Sequence, residues 1–399
     1  MHALVIGGGV AGCVGAIALR KAGLDVTVAE AYGRDSDGIG AFLTLAGNGI
    51  DALAAVDLGE VVGELGFVTP EMVLRDHRGR RLVAFPSAAP RPDGLTVRTL
   101  RRSDLYTTLR DEAVRRGAEI TYGRRLLDAE GGPHGVVARF DDGTTATADL
   151  LVGADGLRSR VRTLLDPQAP PARYVGLLNT GGFARGAEVD GEIGAANFCF
   201  GKRCFLGYLV APDGDVWWFA NPPSRRELGR EDLAAMGERV WRERLRELFA
   251  DDGLPVDALL DGTAHVFSGW NTYDVPRVRT WHRDRMVLVG DAAHATSPSA
   301  GQGASMAIED AVVLARCLRD APDVDTAFAA YERARRERVE AVVAHGKRIG
   351  DQKAAGPVGR VVRDHVVMPL MSRMMARRSA DPLAWMTGHH VEWAEPAVR

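Results

Sequence analysis

The stretch from Ala3 to Glu30 constrains this chain more than any other. Ala3–Ile6 is a short, unbroken apolar run, the pattern of a strand buried on both faces. Gly7-Gly8-Gly9-Val10-Ala11-Gly12 follows, with glycine at each fixed position of a G-x-G-x-x-G pattern. A helix then carries Val10, Cys13, Val14, Ile17 and Ala18 on one side and stops at Gly23, and Val26–Ala29 reads as a second strand ending on Glu30. Alone, the glycine pattern is a weak signal. Between two strands, with an acid at the end of the second, it predicts a βαβ unit that grips a dinucleotide. Gly7 permits the tight turn, Gly9 lets backbone approach a pyrophosphate, and Gly12 lets helix and strand pack closely. Glu30, followed by Ala31, stands where a ribose would lie.

A second stretch, Met286 to Asp310, completes the expectation. Met286–Val289 is another buried strand, Gly290 breaks it, and Asp291 sits at its carboxyl end, where open α/β sheets place ligand contacts. Pro298, Gly301 and Gly303 predict irregular chain until Ala304, from which a helix runs through Met306, Ala307, Asp310, Ala311 and Leu314. A glycine-rich loop feeding a helix start points free N–H groups and a positive dipole end at its ligand. One carboxylate for a sugar-like hydroxyl and one electropositive turn for a delocalised anion together suit a flavin. Asp291 would hold the ribityl chain, and the helix start would face the pyrimidine edge of the ring. Asp291-x-x-His294 could be half a metal site, but no second acid–histidine cluster accompanies it, so His294 is expected to support the turn and no metal is expected.

A chain of 399 residues exceeds one ordinary core, which predicts two closely joined domains. The net charge of −3 gives no push towards nucleic acid or an anionic membrane. Met1-His2 leads straight into a strand, no apolar run reaches transmembrane length, and the four cysteines have no metal-type spacing. The expectation is a cytoplasmic protein with no integral membrane segment, a monomer or homodimer. Cys199 and Cys204 could face each other across a hairpin at Gly201-Lys202, but a reducing compartment argues against a disulfide.

Between the two stretches, Ala31 to Asn48 reads as loop by composition. Arg98–Gly117 reads as a helix with Ser103 as N-cap and Arg101 and Arg102 just before it, either surface residues or contacts to a phosphate or ring edge. Gly123–Asp149 reads as antiparallel hairpins. Leu150–Gly153 is a further buried strand, leading to Ala154-Asp155-Gly156 and the basic run Arg158 to Arg162, which could hold a pyrophosphate or nicotinamide phosphate. Asp166–Pro171 is the clearest linker. Beyond it, Tyr174 to Val278 is rich in β-type segments (Asn197–Phe200, Cys204–Val210, Val216–Ala220, His265–Ser268), interrupted by one amphipathic helix over Arg230–Phe249. This sheet carries Phe198, Phe200, Phe205, Tyr208, Trp217, Trp218, Phe219 and Trp270, as core, as a wall for a flat apolar ligand, or as both on opposite faces. Asp325–Gly350 reads as a helix with a solvated charged face. The division expected is residues 1–170 with 280–350 as the nucleotide-binding domain, 171–279 as the β-sheet domain, to which 70–100 contributes in part, and 351–399 as a helical tail.

Three motifs now stand in order: Gly7–Gly12 with Glu30, Gly153–Arg160, and Gly290–His294 continuing through Pro298–Gly303. The chain resembles the single-component, group A flavoprotein monooxygenases of the para-hydroxybenzoate hydroxylase type. Arg102-Ser-Asp-Leu105 is similar to that family's Arg-x-x-Leu segment and Tyr331–Arg338 to its helical region after the last motif. The resemblance implies an α/β fold: an FAD-binding Rossmann-like domain of the glutathione reductase type, an inserted antiparallel β-sheet substrate domain, and C-terminal helices. It implies FAD lying extended, its adenosine end over Gly7–Gly12 with Glu30 on the ribose. Arg102 and Asp291 would hold the middle and ribityl region, and Gly301, Gly303 and Ala304 would approach the ring. Asp155 and Gly156 would serve both FAD and the NADPH or NADH donor. Pro298 would lie near the reactive face, and Phe200, Tyr208 and Trp218 are candidates for the substrate wall. The implied chemistry is reduction by NAD(P)H, capture of dioxygen as a flavin hydroperoxide, and transfer of one oxygen to an aromatic or polycyclic small molecule, as in aromatic catabolism or secondary metabolism.

A phenolic substrate would need a base nearby. His265, Tyr208, Arg185 and Arg203 qualify only by lying in the sheet region, and the sequence selects none of them. Asp37-Gly38-Ile39-Gly40 is an imperfect version of the loop that lets the flavin swing in some members. The chain is too short for the extra thioredoxin-like domain of larger relatives, and no Trp-x-Trp-x-Ile motif points to a halogenase. The alternatives are an epoxidase or Baeyer–Villiger-type oxygenase on the same fold, a flavin-fold binding module without catalysis, and a plain NAD-dependent dehydrogenase.

Overall fold

The computed structural model describes residues 1–34, 41–88, 91, 93–275, 277–353, 359, 362, 367 and 383–398. Its first layer is a sheet in the order His282–Arg283, Met286–Leu288, Leu150–Gly153, His2–Ile6, Asp25–Glu30, Glu119–Tyr122. All its neighbours are parallel except the short antiparallel edge pair His282–Arg283 with Met286–Leu288. Strands buried on both faces need apolar residues at every position, and Leu150–Gly153 and Met286–Leu288 are buried throughout. The helix Val10–Lys21 lies between this sheet and the helix Gly303–Asp320, and the whole forms one core with Val5, Ile17, Val152, Leu288 and Ile308 inside it. Because the strands run parallel, the glycine turns after His2–Ile6, Leu150–Gly153 and Met286–Leu288 all open at the same end of the sheet.

The second layer is a seven-stranded sheet in the order Trp270–Asp274, Arg173–Ala184, Val216–Asn221, Phe205–Val210, Ala196–Phe200, Glu71–Arg75, Arg81–Pro86. The hairpin 71–86 joins its edge, parallel to Ala196–Phe200. One face is covered by the helices Glu238–Phe249 and Val256–Gly262, whose Trp241, Leu245, Leu259 and Leu260 pack on Leu206, Tyr208, Trp218 and Ala220. The opposite face carries Phe183, Phe198, Leu209 and Trp217, packed with Phe67 and Phe42. Phe42 belongs to a small sheet, Phe42–Leu45, Arg98–Arg101 and Phe67–Val68, that joins the two layers.

Several local expectations change. Within the stretch read as loop, Phe42–Leu45 is a strand and Gly47 begins a helix, because apolar Phe42, Leu43 and Leu45 find a partner strand that composition could not reveal. Arg98–Arg101 is that partner, so the helix starts at Arg102. Arg101 holds the N-cap position, and the Ser103 hydroxyl turns to Asp104. The helix expected over 230–249 breaks at Met236-Gly237 into Arg230–Ala235 and Glu238–Phe249. Trp270–Asp274, not His265–Ser268, is the edge strand. A short helix Asp291–His294 and a 3-10 turn Pro298–Ala300 precede the helix that begins at Gly303. The charged segment forms one helix, Val324–Lys353. Cys199 and Cys204 are buried free thiols, in register with Leu206 and beyond the last hairpin pair rather than with each other. The loop 37–40 and most of 351–382 lie outside the described residues. Among the described residues, no helix is long and apolar enough to cross a membrane.

Candidate active site

The amino-terminal turn has the three glycine roles its pattern requires. Gly7 has φ +104°, and a Cβ there would stand 2.5 Å from the Ala154 carbonyl oxygen, so the first and second motifs touch. A Cβ on Gly12 would fall 1.8 Å from the Gly7 oxygen. At Gly9, by contrast, a Cβ would meet no described heavy atom within 4 Å, so the backbone there borders open space. The helix that follows has no side-chain cap and no acid in its first turn, so its positive end faces that space with Val10 and Ala11 in the first turn. Glu30 is buried at the end of its strand, accepting the Gly8 N–H at 2.6 Å and the Tyr32 N–H at 2.9 Å. Arg110, not anticipated from the sequence, donates to the Gly8 carbonyl at 3.0 Å from beneath the loop.

The third motif closes on the first from the neighbouring strand. Gly290, at φ +59°, packs where a Cβ would lie 3.1 Å from the Ala11 methyl. Asp291 is exposed to the cleft and adjoins Gly303, whose missing Cβ would lie 4.0 Å from Asp291 Oδ1. Crowding by protein on its other sides raises the Asp291 carboxyl, while His294 and Arg102 pull it down. The Arg102 guanidinium donates to the Tyr106 hydroxyl at 2.7 Å and feels Asp291 across the cleft. Gly301 adopts the left-handed conformation with open space beside it, and Gly303 and Ala304 open the helix Gly303–Asp320 with no side-chain cap. Pro298 is exposed on the same turn. His294 is buried against Asp310, as a turn support would be, and among the described residues no cluster of His, Cys, Asp or Glu could hold a metal.

The second motif is tied down within itself. Both Asp155 oxygens are taken within the motif: one accepts the Ser159 hydroxyl at 2.5 Å, the other the N–H groups of Arg160 and Val161 at 2.7 and 3.1 Å. Asp155 therefore holds the turn, with Gly156 at φ +73°, against the start of the helix Arg160–Leu165, whose N-cap is Ser159.

The substrate wall also needs correcting. Alternation puts Tyr208 and Trp218 under the covering helices, where Tyr208 donates to the Asp190 carbonyl at 2.6 Å and Trp218 to the Thr263 hydroxyl at 2.9 Å. Neither can meet a ligand in the cleft. Their sequence neighbours face the other way. Phe205, Phe219, Phe183 and Trp217 share the opposite face, and Phe200 stands on it nearer the hairpin, against Val83. Phe219 lies across Gly207, where any Cβ would be 2.3 Å from its ring. Phe42 reaches over from the joining sheet to within 6.1 Å of Phe219 and 5.5 Å of Trp217, ring centre to centre. Arg101 lays its guanidinium 4.1 Å from the Phe183 ring at one end of this wall. Of the remaining base candidates, His265 and Arg185 are exposed beside Glu238 and Asp215, and Arg203 donates to the Glu247 carbonyl, all away from the wall.

Lys353 was not anticipated. It ends the helix Val324–Lys353, which passes along the third motif: a Cβ on Gly346 would lie 2.8 Å from the Thr296 hydroxyl, and one on Gly350 3.6 Å from the Ser299 hydroxyl. The Lys353 amine then sits 4.0 Å from the Phe205 ring centre and 5.9 Å from that of Phe219, and donates to Asn221 Oδ1 at 2.8 Å. Burial pushes its pKa down to about 7.

This arrangement fits a dinucleotide flavin. Open space beside Gly9 and Gly301, two uncapped helix starts, and Asp291 with Arg102 between them offer a continuous track from Gly7–Gly12 and Glu30 to Gly301–Ala304. Bound there, FAD would supply the redox and oxygen-transfer chemistry. The chain's own part is to hold it, keep water from the aromatic wall and place a second molecule beside it. Such a fold and such a site define a flavin-dependent oxidoreductase.

Comparison with known proteins gives the family. The FAD binding domain family matches residues 1–345. The FAD-dependent urate hydroxylase of Klebsiella pneumoniae is 31% identical over 357 residues, covering 86% of this chain and 88% of the relative. The 6-hydroxynicotinate 3-monooxygenase of Pseudomonas fluorescens is 31% identical over 351 residues, covering 85% and 88%. A Klebsiella pneumoniae structure solved with FAD and uric acid superposes with a TM-score of 0.82 at 26% identity, covering 94% of this chain and 95% of that one. The chain belongs to the FAD-binding-domain family of group A flavoprotein monooxygenases of the para-hydroxybenzoate hydroxylase type. It is an FAD-dependent, NAD(P)H-consuming monooxygenase.

Proposed function

We propose that this enzyme hydroxylates an aromatic or polycyclic small molecule that lies flat between the Phe205–Phe219–Phe42 wall and the flavin ring. The observation that carries the reading is the row of aromatic rings on one face of the sheet, with Phe219 lying over the bare Gly207 and only partly buried. A flat aromatic wall suits a flat ring, through stacked or edge-on contact worth roughly 0.5–1.5 kcal/mol per pair beyond area burial. Relatives named for urate, 6-hydroxynicotinate and 3-hydroxybenzoate, all small ring compounds, support the same class. In this reading Gly7, Gly9, Val10, Ala11, Gly12, Glu30 and Ala31 hold the adenosine half of FAD, and Arg102, Asp291, Gly301, Gly303 and Ala304 the flavin half. The four buried free thiols support a reducing compartment, the cytoplasm.

The test is rapid-mixing reduction of the FAD-loaded protein by NADH and by NADPH, across a panel of aromatic compounds. A substrate accelerates reduction and then gains one oxygen atom from labelled dioxygen. The position of that atom separates ring hydroxylation from epoxidation or lactone formation. Reduction indifferent to every aromatic compound, with only hydrogen peroxide released, would sink the proposal.

A further inference from the structure

At its Phe205 and Phe219 end, the wall read as the substrate face carries a cation among the described residues, the Lys353 amine. It reaches the pocket from the end of a helix that also packs on Ser297, Ser299 and Ala300, so it spans the gap between the sheet and the flavin-side turn. Among the described residues it donates to Asn221 Oδ1 at 2.8 Å and lies against the Phe205 and Phe219 rings. An ammonium carries three donors, and among the described residues one hydrogen-bond acceptor is placed for them.

The charged neighbours do not relieve it. On its own helix, Asp351 is paired with Lys347 at 3.0 Å. From the sheet side the titratable group acting on it is Cys204, a buried thiol whose own pKa is pushed up, so that it is neutral. Arg101 lies at the Phe183 and Trp217 end of the wall and is itself a cation. Burial thus favours the free amine around neutrality, which a surface lysine would not offer.

We propose that Lys353 is the acid–base residue of the substrate pocket, accepting the proton of an acidic ring hydroxyl and then anchoring the resulting oxyanion. The O–H bond of the ring breaks and an N–H bond forms on Nζ. The electron pair stays on the oxygen, where it enriches the ring for attack by an electrophilic oxygen. Amine and phenol are neutral before the transfer, and ammonium and phenolate sum to zero after it, so no net charge enters the apolar pocket. The substrate class that follows is a flat ring bearing a hydroxyl acidic enough to ionise near neutrality: an enol, or a phenol with an electron-withdrawing substituent. This assignment rests on the reading that the Phe205–Phe219 face is the substrate site.

The probe is 4-nitrophenol, of which only the anion is strongly coloured. FAD-loaded wild type, Lys353→Met and Lys353→Arg are titrated with it from acid to alkaline pH. Both the flavin spectrum and the nitrophenolate band are followed. Wild type is expected to bind the probe as the anion at pH values where the free probe is still protonated. Lys353→Met, with normal FAD content, is expected to bind roughly 10- to 100-fold more weakly and to lose the low-pH anion band, as removal of a charged hydrogen bond would produce. Lys353→Arg keeps a fixed charge. It is expected to bind the anion but to lose the rise in affinity for the neutral phenol as Lys353 deprotonates. A Met variant with the wild-type anion band and affinity overturns the proposal and leaves the site reading intact. An Arg variant with the full wild-type pH profile reduces Lys353 to a fixed charge and overturns its acid–base role. A wild-type flavin spectrum that no concentration of probe perturbs overturns the site reading and this assignment with it.

Discussion

The Arg335 side chain donates its Nε–H to Asp310 Oδ1 at 2.8 Å, while Asp310 Oδ2 accepts the Gly290 N–H at 2.9 Å. One buried carboxylate thereby ties the long helix Val324–Lys353 to the turn that presents Asp291. Glu309 beside it is held by Arg335 and by Arg338, the latter at 2.8 and 2.9 Å, and accepts Asn48 Nδ2 at 2.6 Å. The charged stripe on the helix is thus not wholly a solvated face: Arg335 is completely buried within it.

Arg335→Met should be strongly destabilising, because it removes the buried cation that Asp310 and Glu309 share in the core. Breaking one partner of a buried pair costs about 3–5 kcal/mol. Denaturant unfolding of the FAD-loaded protein measures it, and flavin should be released early in the same transition. A loss under about 1 kcal/mol would place Arg335 in the ordinary surface-pair class instead. The acid side follows from the same cluster. Burial alone would raise the Asp310 carboxyl, but His294 and Arg335 overcome that and hold it at about 2, against an ordinary 3.8. Its contribution is therefore complete above the unfolded value and is lost as pH falls from about 4 towards 2. Asp310→Asn should remove that part of the acid dependence.

Gly9 and Gly12 should separate binding from folding. A Cβ at Gly12 would lie 1.8 Å from the Gly7 oxygen, so Gly12→Ala must push helix and strand apart, at a cost of about 1–3 kcal/mol for overpacking. At Gly9 the same atom meets nothing within 4 Å, so Gly9→Val should fold normally and fill only the space proposed for the pyrophosphate. Thermal unfolding and flavin content of the two purified variants check this. A yellow Gly9→Val protein would contradict the placement.

Asp291→Ala should weaken FAD retention by about 1.5–3 kcal/mol, the worth of a hydrogen bond to a charged group. Equilibrium titration of the apoprotein with FAD gives the number. Asp291→Asn should fall between, since an amide oxygen still accepts a hydroxyl but carries no charge. Unchanged affinity in both would remove Asp291 from the flavin contacts.

The glycine turns were legible because each rests on local chemistry: a strand, a φ that favours glycine, a helix start. Gly7 and Gly301 have the positive φ their positions imply. The aromatic wall was legible only as composition. Adjacent residues of a strand face opposite ways, so choosing Trp218 over Phe219 required the register against Gly181 and Gly207, which long-range pairing sets. The bonds that Asp155 accepts from Ser159, Arg160 and Val161 were not legible, because Asp-Gly is also a common turn and does not announce which groups fold back onto it. Lys353 had no signal at all. It arrives at the pocket because a helix begun at Val324 continues unbroken for 30 residues, about 45 Å at 1.5 Å per residue, and no window of sequence contains both it and Phe205.

Opposite faces of one strand give a paired prediction. Trp218→Phe removes a buried hydrogen bond to Thr263 beneath the covering helices and should cost about 1–2 kcal/mol of stability, with no change in the response to aromatic ligands. Phe219→Ala should keep most of the stability, since its ring is only half-buried, yet lose most of the acceleration of flavin reduction by those ligands. Unfolding curves and single-turnover reduction on the same samples test both. The reverse pattern would mean that the substrate enters from the other side of the sheet.

Lys353 makes a prediction about the free enzyme that needs no ligand. Its pKa is lowered from 10.5 unfolded to about 7 folded by burial. Between those values the unfolded chain holds a proton that the folded chain has released, so stability must rise with pH across that window and flatten on either side of it. Below about pH 7 both states are protonated, and the fold bears the full cost of an ammonium among Phe205 and Phe219. Lys353→Met removes both the cost and the slope. The variant should be more stable than wild type at pH 7 and below, and the two proteins should converge as pH approaches 10. Denaturant midpoints at several pH values decide it. Parallel curves would mean that the amine keeps its proton throughout, held by a partner in solution, and the apolar setting described for it would then be wrong.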